Sequence, residues 1–134
     1  LHQFDYINQR LDDLADRIKP INARIAYQRP CWNRLVPQTD TVLDEILAKI
    51  GAERVPRTFD RENALCCGGV PRAHQRDELA DELVDKNIDD MLSVNAAYCV
   101  FNCPFCMATL GQEVVERGLM PILVSDLVQT ALGE

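Results

Sequence analysis

The chain has 134 residues, a formal net charge of -7 and a hydrophobic content of 47%, which together describe one ordinary domain with a real core. The acidic balance excludes a nucleic-acid surface, which needs clustered Lys and Arg. No run approaches the roughly 18–20 apolar residues of a membrane span, and there is no low-complexity tract or fixed-period repeat. The first residue is Leu1 rather than Met, so the chain reads as a piece of a longer one.

Residues 4–19 place Phe4, Ile7, Leu11, Leu14, Ala15 and Ile18 on one helical stripe. Residues 1–22 therefore read as an N-terminal helix and linker. The stretch ARIAYQ, 23–28, alternates and predicts a strand. A helix follows, with Thr39 or Asp40 as its cap, apolar Val42, Leu43, Ile46, Leu47 and Ile50, and Gly51 as its stop. ERVPR, 53–57, predicts a short strand, and Pro56 makes it an edge or a strand end.

Beyond the motif CCGG, residues 75–93 predict a helix through Leu79, Leu83, Val84, Ile88, Met91 and Leu92. AAYCVFN, 96–102, is the clearest strand. Pro104 fits the first helical position, and Met107, Leu110 and Val114 carry a helix to Gly118. PILV, 121–124, is the last strand, and Ser125 caps a terminal helix. The order α-βαβαβαβα predicts an α/β fold. It is a small, mostly parallel four-stranded sheet flanked by helices, a Rossmann-like half. Sites in such sheets form beyond the carboxyl ends of the strands.

The cysteines fall there. Cys31 follows the first strand, Cys66 and Cys67 lie in the loop after the second, and Cys103 and Cys106 lie where the third becomes a helix. Six cysteines could also serve three disulfides in a secreted protein, but such domains are short and loop-rich, and this chain carries long periodic segments. A zinc ion or an ordinary cubane takes four ligands. Five thiols converge here, and the adjacent pair reaches two metal atoms more easily than it shares one. That arrangement points to a multinuclear iron–sulfur centre. A lone CxxC would be a redox dithiol or half a zinc site.

The other residues near the thiols have two readings each. Gly68 and Gly69 either let the backbone approach a cluster or make a plain turn. Arg29 and Arg34 either sit in solvent or compensate an anionic site at Cys31. Trp32 either shields the site or covers the core. His74 either serves the site or stands in solvent at a helix start. Cys99, inside the third strand, reads as a core thiol.

The blocks RPCWNR, CCGG and NCPFC, in this order and spacing, resemble the cysteine-rich CCG domain, the module repeated in the cysteine-rich subunit of heterodisulfide reductase and found in related iron–sulfur oxidoreductase subunits. The resemblance covers residues 23–132 and makes 23–134 the domain. It implies that Cys31, Cys66, Cys67, Cys103 and Cys106 hold a [4Fe–4S] cluster of noncubane or more ordinary type, with zinc as the alternative in some relatives. It implies a domain or subunit of an oxidoreductase that transfers electrons or reduces a disulfide. The alternative is a structural zinc domain that docks partners without redox chemistry. The implied partners are ferredoxin-like or flavoprotein subunits, the implied substrates a disulfide or a quinone-linked compound. The implied location is the cytoplasm, with membrane association only through a partner subunit.

Overall fold

The computed structural model describes residues 2–134; Leu1, the first residue of the expected N-terminal segment, lies outside them. Strands β1 (Ala23–Gln28), β2 (Ala52–Arg54), β3 (Tyr98–Phe101) and β4 (Met120–Leu123) form one four-stranded sheet in the order β2-β1-β3-β4. Every pairing is parallel, with Ala23 opposite Ala52, Ile25 opposite Tyr98, and Tyr98 opposite Met120. The expected α/β architecture is therefore the observed one. β2 is an edge strand, and it ends at Arg54, ahead of Pro56, instead of spanning 53–57.

Helices α1 (Gln3–Asp13), α2 (Gln38–Ile50), α3 (Gly69–Ala73), α4 (Asp77–Ser93), α5 (Pro104–Glu116) and α6 (Val124–Ala131) complete the chain. From β1 the chain moves one way along the sheet, through α2 to β2. From β3 it moves the other way, through α5 to β4. Crossovers of one hand then place α2 and α5 on opposite faces. One core packs Ile25, Tyr27 and Val100 against Phe4, Leu43, Ile46 and Leu127. The other packs Ala26, Cys99 and Phe101 against Ile88, Met91, Leu110 and Val114. The period of two along β1 and β3 separates them.

Several boundaries differ from the periodicity. The first helix stops at Asp13 and a 3₁₀ turn follows at Ala15–Arg17. The chain is then drawn away, because the Lys19 N–H donates to the Ala131 carbonyl at 2.7 Å. At the start of α1, His2 Nδ1 accepts the Phe4 N–H at 3.1 Å, and the Asp5 carboxylate accepts the His2 N–H at 3.2 Å. Neither Thr39 nor Asp40 caps α2. Pro37 holds that place, and both residues lie inside the first turn. Ser125 likewise lies inside α6, with Leu123 at the cap. The helix expected over 75–93 is α4 preceded by the separate short α3, and Gln75 between them has φ of 58°.

Candidate metal centre

The Cys31 turn comes first. β1 ends at Gln28, and Pro30 leads into a 3₁₀ turn over Cys31–Leu35. Arg29 is not a solvated arginine, since it is 7% exposed. It faces Asp40 at 2.8 Å and donates to the Arg61 carbonyl at 2.8 Å. It therefore ties the turn to α2 and to the next loop instead of compensating the thiols. Arg34 is the cation that acts on Cys31. A cleft of about 160 Å³ opens between this turn and the following loop, with Cys31, Arg34, Leu65 and Cys66 on its walls.

The loop after β2 is staked by buried arginines. Arg54 donates to Asp60 at 2.7 Å and 3.0 Å, to Asp44 at 3.1 Å and to Asp40 at 3.2 Å. Arg57 donates to Asp90 at 2.9 Å, and Asp90 also accepts the N–H groups of Thr58 and Phe59. The chain then reaches Cys66 and Cys67. Gly68 has φ of 92°, a left-handed conformation that glycine adopts at least cost, and its N–H donates to Cys66 Sγ at 3.4 Å. Gly69 is needed for space. A Cβ there would lie 2.8 Å from Phe105 Cζ and 3.1 Å from Thr109 Oγ1. Gly69 thus makes room for α5.

α5 supplies the last pair. Cys103 is its N-cap, Pro104 its first residue, and Cys106 sits in its first turn, as the sequence foretold. The five sulfurs follow one another as a row whose members act on each other's ionisation: Cys66 on Cys31, Cys66 and Cys106 on Cys67, and Cys67 and Cys103 on Cys106. Cys31 is exposed at one end, and Cys67 and Cys106 are buried in the middle. Among the described residues, no three His, Cys, Asp or Glu side chains close around one point as a single-ion shell would require. All six cysteines are free thiols.

The row is electrostatically graded. The Cys106 thiol donates to Cys67 and, with the Gly69 N–H and the Cys66 thiol, lowers Cys67 to about 6 against the opposing effect of burial. Cys106 is pushed up because Cys67 holds its proton in place, and burial adds to this. Burial, then the neighbouring Cys66, pushes Cys31 up, and Arg34 pulls the other way. The polarity of the row thus favours thiolate, the form that binds metal, at Cys67. Soft thiolates suit iron–sulfur clusters and zinc, so the donor set fits the expected group.

Cys99 stays outside the row. It is fully buried in β3, and burial pushes its thiol up to about 12. His74 lies exposed at the end of α3. Trp32 is half-exposed beside Cys31, and its ring centroid lies 5.5 Å from that of His2. It takes no part in either core.

The family model described as the cysteine-rich CCG domain matches residues 25–111, from within β1 into α5. The chain belongs to the CCG cysteine-rich domain family. All five cysteines of the row fall inside the matched span. This CCG domain is 25% identical over 128 residues to a protein of Methanothermobacter marburgensis described as a subunit of fumarate reductase (CoM/CoB). The alignment covers 93% of this chain and 25% of that relative, so the chain spans about a quarter of its length.

Proposed function

We propose that this CCG domain is the iron–sulfur module of a larger oxidoreductase, with residues 23–134 as the unit that carries the centre. Cys31, Cys66, Cys67, Cys103 and Cys106 would hold a [4Fe–4S] cluster, noncubane if both adjacent thiols bind. The observation that carries this reading is placement: the adjacent Cys66 and Cys67 lie after β2, at the same end of the parallel sheet as Cys31 after β1 and Cys103 and Cys106 after β3. A row with adjacent members suits several metal atoms, whereas one zinc ion needs four ligands around a point. When bound, such a centre supplies single electrons.

The protein's own part is to hold the row and set its polarity. Cys106 and the Gly69 N–H favour the thiolate form of Cys67. Arg34 offsets negative charge at the exposed end, where the cleft beside Cys31 gives access to a substrate or partner. The relative is named as a subunit of a reductase, which supports partner subunits here. The substrate class proposed is a disulfide reduced at the exposed end; relay of electrons to a partner subunit is the other use of the same site. The membrane plays no direct part in this reading, and no helix among the described residues is long and apolar enough to cross one.

The test is metal analysis of the full-length protein purified without oxygen. A brown protein with about four irons and matching sulfide per domain is expected. A colourless protein with one zinc and no iron sinks the cluster and leaves the docking domain.

A further inference from the structure

Gln28 and Asn87 are buried amides that the chemistry above does not use. Gln28, the last residue of β1, is 1% exposed, and Asn87, inside α4, is 0% exposed. Their bonds form a line. Arg57 Nη1 donates to Asn87 Oδ1 at 3.1 Å; Asn87 Nδ2 donates to Gln28 Oε1 at 2.6 Å; Gln28 Nε2 donates to the Leu65 carbonyl at 2.9 Å. Leu65 is the residue before Cys66.

The direction of the line is forced. A guanidinium has only donors, so Asn87 must turn its oxygen to Arg57 and its amide hydrogens to Gln28. Gln28 must then turn its oxygen to Asn87, which leaves its own hydrogens for Leu65. Every donor points from the buried cation toward the thiol loop, and bonds in such a run polarise one another. The far end is fixed as well, because Asp90 holds Arg57 at 2.9 Å and also accepts the Phe59 N–H at 2.9 Å.

We infer that Arg57, Asn87 and Gln28 form a positioning relay that sets the Cys66–Cys67 turn against the thiols of α5. The inference rests on reading Cys66 and Cys67 as cluster ligands. None of the three relay residues touches the cluster in this scheme. They act through the Leu65 carbonyl.

Three variants of the full-length protein test this. Gln28→Glu still accepts from Asn87 but turns an oxygen toward the Leu65 carbonyl. Gln28→Met removes both bonds. Ile88→Val trims the same core, next to Asn87, without any bond to the loop, and serves as the stability control. The Gln28 variants are expected to alter the EPR signature of the reconstituted centre. In metal-free protein they are expected to speed alkylation of buried Cys67 about tenfold, the effect of losing one buried hydrogen bond. Ile88→Val is expected to change neither. If the Gln28 variants match Ile88→Val in both readouts, the relay is overturned. If the wild-type protein proves to hold no iron, the cluster reading fails and the alkylation rates alone decide the relay. Should the Gln28 variants not fold, Arg57→Lys, which keeps the charge but shortens the reach to Asn87, is read by the same two criteria.

Discussion

The ring of Phe105 fills the space that a side chain on Gly69 would need, with Cζ 2.8 Å from the position of a Cβ. The missing side chain lets the turn that carries Cys66 and Cys67 lie against α5, whose start carries Cys103 and Cys106. Gly69→Ala should push the first turn of α5 away and cost about 1–3 kcal/mol, the usual penalty of overpacking. It should also lower iron content. Phe105 is half-exposed, so Phe105→Ala should be mild alone and should relieve Gly69→Ala in the double variant. Denaturant titration and iron analysis of the four proteins check this. Simple additivity of the two changes would contradict the contact.

Cys66 and Cys67 should behave alike, and Cys99 should not. Cys66→Ser and Cys67→Ser are each expected to reduce cluster content or change its EPR signal. Cys99→Ala removes a fully buried thiol outside the row. It should lower stability by about 1 kcal/mol, as small core truncations do, and leave iron content unchanged. Loss of iron in Cys99→Ala alone would show that the ligand set is wrong.

Asp90 should make the protein acid-labile in a defined window. Burial alone would raise its carboxyl; the Phe59 N–H, Arg57 and the Thr58 N–H outweigh this and hold it below the ordinary 3.8. A depressed folded value means that the contribution is complete above the unfolded value and is lost as pH falls through the folded one. Asp90→Ala leaves Arg57, 1% exposed at its side chain, without a counter-ion, which should cost about 3–5 kcal/mol at neutral pH. The gap between wild type and variant should narrow below pH 3.8. Thermal melts across pH measure it, and a gap that does not narrow would remove Asp90 from this role.

Trp32 is the single tryptophan of the chain and stands next to Cys31. An iron–sulfur chromophore absorbs across indole emission, so loading the centre should quench Trp32 fluorescence. Titrating the reduced, metal-free protein with iron and sulfide reads this directly. Zinc loading should leave most of the emission. Unquenched emission at full iron occupancy would place the cluster away from Cys31.

The sheet and its thiols were legible because they rest on local signals. Strand alternation, Pro104 at a helix start and the CCGG turn each follow from backbone rules that act within a few residues. The ends of helices were less legible. Asp40 looks like a cap in sequence, yet it is recruited by Arg29 and Arg54 from distant segments. The loop after β2 was unreadable for the same reason. Its order comes from Arg54 and Arg57, and the partners that hold them lie on α2, on α4 and further along the loop itself. Gln28 gave one faint signal, a polar residue closing an apolar strand. Arg29 and Arg34 share one motif but do different work, which only burial separates.

The strand order has a consequence for biogenesis. β1 and β3 are neighbours in the sheet, yet α2, β2, α3 and α4 all lie between them in sequence. A ribosome that has made everything up to α4 has produced only three of the five thiols, and the central strand that brings the rest is still missing. Any group gripped by the whole row can be inserted only after translation has passed α5 and β3 has docked beside β1. A product that stops before β3 has only Cys31, Cys66 and Cys67 to offer such a group.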